Sequence, residues 1–134
     1  MAGQATSAGS KIALDALSGR ATQTARTMYL ALLTAAPTDA STLATVTEVS
    51  ATGYARQTCA MSDPTTTEAS TNTALLTFGP FDTDPASATH CALVSAVSGT
   101  VGDITFYWTL DVARDAAVGD SITVAVGALS MGAE

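Results

Sequence analysis

Chemistry-bearing side chains are scarce in this chain of 134 residues: one histidine, one lysine, two cysteines and one tryptophan. A Ser-His-Asp or Cys-His centre would have to be built around His90. Its neighbour Cys91 points to the opposite side of any strand that carries both, and Cys59 reaches it only if two strands pair in register. One histidine and two separated cysteines fall short of the four ligands of a structural zinc site. Asp82-Thr83-Asp84 resembles a piece of a calcium loop but lacks the glycine and the distal glutamate, and Pro85 follows it. No glycine-rich phosphate loop and no singled-out pair of carboxylates is present. The expectation is a protein that is not an enzyme and holds no metal or cofactor. Two cysteines are too few to staple a domain of this size and are read as buried small hydrophobes. No run approaches the ~20 apolar residues of a membrane span, and residues 1–10 lack the order of a secretory signal, so a soluble protein is expected.

Charge is also sparse, at 13% of residues, whereas 47% are apolar, which disfavours disorder. A surface solvated by Thr, Ser and Ala rather than Lys and Glu suits a protein covered by neighbours. The net charge of −7 is unevenly placed. Residues 1–30 hold Lys11, Arg20 and Arg26 against Asp15, while the remainder holds Arg56 and Arg114 against all the other acids. An acidic body repels nucleic-acid phosphates and anionic membranes, so neither is an expected partner. The weakly basic N-terminal arm either docks on an acidic protein surface or is an ordinary terminus.

From Ser10 to Gly19 a serine N-cap, apolar Ile12, Ala16 and Leu17 on one stripe, and a terminating glycine predict one short helix. Too short to be stable alone, it must lay its apolar side on the domain or on a partner. Strand-like runs follow at residues 27–35, 45–50, 54–62, 73–79, 88–97, 104–110 and 121–126, with 128–131 as a terminal extension. Alternation from Ile104 puts Ile104, Phe106, Trp108 and Leu110 inward, as in a half-buried antiparallel sheet. Turn formers such as Ala36-Pro37-Thr38-Asp39, Gly79-Pro80 and Asp84-Pro85 separate the runs, and residues 63–72 predict an exposed loop. The fold class is therefore all-β, a mainly antiparallel sandwich or barrel of seven or eight strands with one short N-terminal helix. Its division is an arm with helix over residues 1–26 and a β-sandwich domain over 27–134.

Glu48-Val49-Ser50-Ala51-Thr52-Gly53-Tyr54-Ala55-Arg56-Gln57-Thr58 joins two strand-like runs through a turn and places Tyr54, Arg56 and Thr58 on one face. Arg56 is open to two readings, an inter-subunit ion pair or an internal pair with a loop Asp or Glu, and Tyr54 is placed to stack on a guanidinium or a ring. Trp108 is read as core, with interface anchoring as the alternative.

That segment, with Leu14-Asp15-Ala16-Leu17, residues 29–39, Thr71-Asn72-Thr73-Ala74, Thr89-His90 and Ala117-Val118-Gly119-Asp120, resembles a family of small tailed-phage virion proteins over nearly the whole chain. In that family Glu-Val is followed by paired glycines; here Ala51-Thr52-Gly53 keeps one, which leaves the turn type open. The resemblance implies a β-rich virion component, made in the host cytoplasm and described as tail-fibre-like or head-decorating. With no coiled coil or repeated shaft, a compact domain with a short arm favours decoration of the head as a homo-oligomer on the major capsid protein, stabilising the shell. A small tail-tip or tail-fibre-like part bound to other tail proteins is the alternative, and a ligand- or carbohydrate-binding sandwich a third. Lys11, Ile12, Leu17, Arg20 and Arg26 are the expected attachment residues, with Tyr54 and Arg56 at subunit contacts.

Overall fold

Two apolar runs, Tyr29–Leu33 and Ala88–Val94, build the centre of the molecule. In the computed structural model, which describes residues 1–64, 68–84 and 87–132, they pair antiparallel as β2 and β6, Leu32 opposite Cys91. Leu30, Ala31, Leu32 and Leu33 are all essentially inaccessible to solvent, so both faces of β2 are covered. The unbroken apolar run, usually the mark of a buried parallel strand, arises here because the sheet is sandwiched.

Around this pair lie β1 (Gln4–Ala5), β7 (Ile104–Arg114) and β3 (Gln57–Thr58), in the order β1-β7-β6-β2-β3, every neighbour antiparallel. Two ribbons complete the β structure: β4 (Ala69–Thr71) with β9 (Ser130–Gly132), and β5 (Leu76–Phe78) with β8 (Ile122–Val124). The alternating buried residues of the β5–β8 ribbon, Leu76, Phe78, Ile122 and Val124, meet Leu30, Leu32, Cys91, Leu93, Phe106 and Trp108 in the main core. The opposite face of the sheet carries a smaller core of Ala31, Leu33, Ala92, Val94 and Ile104, capped by Leu43 and Val46. The fold is all-β with one helix.

Several local expectations are revised. Ile104 does not share the face of Phe106 and Trp108: Leu93 opposes Phe106 but Val94 opposes Ile104, so Thr105 is an extra residue that flips the pattern. Residues 45–50 reduce to one bridge, Leu33 with Glu48. Residues 63–72 are not wholly a loop, since β4 lies within them and Asn72 is buried. Its amide donates to Ala74 O and Ala125 O and accepts from Leu129 N, at 2.8–3.0 Å, tying both ribbons together. Residues 65–67 of that stretch, and Pro85, lie outside the described residues.

The helix α1 (Ser7–Leu17) starts one turn earlier than Ser10 because Thr6, not Ser10, caps it: its hydroxyl accepts from Gly9 N at 3.1 Å and donates to Ile104 O. Gly19, in the left-handed region at φ 70, ends it as expected. Gly9 rests directly on β7, where a Cβ would come within 1.9 Å of Thr105 O. Residues 1–6 of the arm are built into the body. Gly3 N bonds Ser130 O at 3.2 Å, and Gly3 leaves no room for a Cβ against Phe106 and Trp108. Trp108 is fully buried core, its indole donating to Ser130 O at 2.9 Å.

Candidate functional site

Tyr54, Arg56 and Glu48 converge where the segment after the Leu33–Glu48 bridge turns back toward β3. The turn is set by Gly53, at φ 93 between Thr52 and Tyr54, with Tyr54 N bonded to Ala51 O at 3.1 Å, as a type II turn requires of its third residue. A single glycine suffices because the left-handed conformation is needed at that one position. A Cβ at Gly53 would also meet Pro80 O at 2.3 Å, so the turn is pressed against residues 80–83, where Asp82 N reaches Thr52 O at 2.7 Å.

The turn aims Arg56 inward. Its guanidinium grips both oxygens of Glu48, at 2.9 and 2.8 Å, and donates to Ala96 O and Gly99 O at 2.9 and 2.8 Å. Tyr54 donates to Glu48 at 2.6 Å, accepts from Leu32 N at 3.0 Å, and stacks on Phe78 with ring centroids 6.0 Å apart. Burial, then the Glu48 carboxylate, pushes the Tyr54 hydroxyl far above its ordinary range. The hydrogen bond to Glu48 also raises the pKa of Arg56 above its ordinary value. Of the two readings of Arg56, the structure gives the internal pair. With four guanidinium hydrogen bonds made inside the chain, the cluster clamps the turn, β2 and the loop after β6 to one another.

The N-terminal candidates lie apart from this cluster. Lys11 and Arg20 both contact Asp15, and the Lys11 hydrogen bond is the main cause holding that carboxyl below the usual range. Arg26 approaches Asp103 at 3.6 Å across half-exposed side chains. Ile12 is half-buried, whereas Leu17 is 85% and Leu14 64% exposed, and no residue of α1 is fully buried. Leu14, one turn from Leu17, was not among the sequence candidates; the i,i+3 spacing was the available signal.

His90 is half-buried, its Nδ1 2.8 Å from the Thr89 hydroxyl, and burial lowers its pKa. Both residues belong to β6, whose pairing with β7 is irregular between Ala88 and His90. Cys59 and Cys91 are free and buried, with thiols pushed up by desolvation to about 11 and about 12. Among the described residues no three His, Cys, Asp or Glu side chains gather where a metal ion could sit. No helix among them is long and apolar enough to cross a membrane.

The protein-family model described as Podophage GP4 fiber I protein gp80 matches residues 4–132. The chain belongs to this family. It is thus a bacteriophage virion structural protein, placed among other virion components. Comparison with curated proteins produced no match. In this podophage fibre-family protein the Glu48-to-Gln57 segment is a fold element, since Glu48, Tyr54 and Arg56 spend their polar groups on one another and on the backbone.

Proposed function

We propose that the protein is a passive, non-enzymatic building block of the phage fibre apparatus, seated on a neighbouring virion protein through α1. The observation that carries this reading is that α1, anchored by Thr6 and Gly9, has no fully buried residue and turns Leu14 and Leu17 to solvent. A helix this short gains little stability by itself, so an apolar ridge held outward is matched to a partner. Lys11 on the helix, with Arg20 and Arg26 in the segment after it, suits an acidic partner surface, and half-buried Ile12 lies on the same helix. The family description supports the fibre reading. Decoration of the head, as a homo-oligomer on the major capsid protein, is the second reading, favoured by a small β body without a shaft.

Replacing Leu14 and Leu17 together with Ser tests the attachment. The purified variant is expected to keep the wild-type melting temperature and to be missing from particles assembled in its presence; normal occupancy would refute it. Antibody-gold labelling of intact virions separates the two locations, label on fibres supporting the first reading and label spread over the capsid the second.

A further inference from the structure

A cleft of about 450 Å³ opens between the far end of β7 and β8, lined by Leu32, Leu110, Val112, Ile122, Val124 and Ala128 among others. Its two walls are strand edges without partners. Among the described residues β7 is paired with β1 only at Phe106 and Tyr107, its residues 110–113 bulge without a partner in either β1 or β6, and β8 is paired with β5 alone. Open edges of this kind template an added strand, and a cleft with an edge on each side offers hydrogen bonds to both sides of one extended segment.

The chain also carries a segment with the complementary deficiency. Residues 20–27 are all exposed, and residues 22–27 make no backbone hydrogen bond and belong to no helix, strand or turn. The segment is tethered at the Ile104 end of β7, through Tyr29 opposite Val94 just after it and Arg26 beside Asp103 within it. The cleft lies toward the Arg114 end, about 20–30 Å further along the strand. A chain therefore cannot fill its own cleft with this segment. Charge matches the two: the segment carries Arg20 and Arg26, whereas the end of β7 carries Asp111 and Arg114 and the adjoining loops carry Asp82, Asp84, Asp115 and Asp120. The ion pairs that now hold Arg20 and Arg26 are exposed and readily exchanged.

We infer that the β7–β8 cleft accepts residues 20–27 of a second copy of this chain as an inserted strand. Donor and acceptor lie at opposite ends of the molecule, so the contact is heterologous and propagates head to tail, closing into a ring or extending as a filament. This deepens the fibre reading without depending on it: label on capsids would overturn that reading and leave the self-association measurement untouched.

Sedimentation velocity of the full chain over a concentration series tests the inference. Wild type is expected to form concentration-dependent oligomers. A strand lying between two edges uses each of its N–H groups, so Thr24→Pro removes one hydrogen bond in any register, and assembly should weaken roughly ten-fold. Because residue 24 makes no hydrogen bond in its own chain, the melting temperature should stay unchanged. A synthetic peptide of residues 19–28 should bind the Thr24→Pro protein, and the same peptide carrying Pro at position 24 should not. A wild type monomeric at every concentration overturns the inference. So does an oligomer that ignores Thr24→Pro, including one lost only when Leu14 and Leu17 are replaced.

Discussion

Replacing Arg56 with Ala is the sharpest measure of whether the Glu48 cluster holds the fold together. Arg56 is 9% exposed, and the side chains of the pair are 5% and 24% exposed, so removal of the guanidinium strands a carboxylate that water reaches only in part. Breaking a buried pair from one side costs about 3–5 kcal/mol, and Glu48's access to solvent places this site near the lower end. Ala96 O and Gly99 O lose their donors as well, but Gly99 borders a cleft in which water can replace the guanidinium. About 3 kcal/mol, divided by the unfolding entropy of a domain of 134 residues, corresponds to a fall of roughly 10 °C in melting temperature. Calorimetry of the purified protein measures it directly. Arg56→Lys keeps the charge but cannot hold both carboxylate oxygens and two carbonyls, and should fall about half as far. The double replacement of Glu48 by Gln and Arg56 by Met should recover part of the loss, because no buried charge is left unpaired. An Arg56→Ala protein that melts within about 3 °C of wild type would show that the internal pair contributes little, and the reasoning would fail.

Gly53→Ala should cost about 1–3 kcal/mol, because φ 93 is strained for Ala and its Cβ would meet Pro80 O, whereas Gly119→Ala, at φ 87 with open space around it, should cost only the backbone term; paired urea melts compare them. His90 is harder to protonate in the fold than in the unfolded chain, so the unfolded state takes up more protons below the ordinary pKa of 6.5. Stability should therefore be full above that pH and decline as pH falls through it toward the lower folded value, and His90→Gln should flatten this part of the profile in melts from pH 8 to pH 5; an identical slope in the variant would refute the assignment. Thiols shifted to about 11 and about 12 should be inert to an aromatic disulfide reagent at pH 8 in the native protein and react, both of them, on unfolding; rapid reaction of either in the native state would contradict their burial.

Much of the architecture was legible from local pattern. Leu76-Thr77-Phe78 and Ile122-Thr123-Val124 alternate because one face of their ribbon is buried and the other wet, and a period of two records that directly. Gly19 and Gly53 were legible because each marks a backbone conformation that other residues avoid. The family resemblance rests on the same kind of local signal. By contrast, Thr6 as the cap, the short strands β1 and β4, and the burial of Asn72 carry no periodicity, being defined by partners 98 residues away for Thr6 and 53 or 57 away for Asn72.

By itself, the sequence determined an all-β body with one short helix, a charge split between its N-terminal part and the rest, and the two-residue spacing that turns Tyr54 and Arg56 to one side of the chain ahead of β3. Only the tertiary structure decided that Arg56 turns inward to Glu48, that Thr105 throws Ile104 to the opposite face, and that Leu14 and Leu17 remain uncovered. The reason is that a residue's type and its near neighbours set backbone preference and hydrophobic period, whereas the direction of a charged side chain and the occupancy of an apolar face depend on which distant segment arrives beside it.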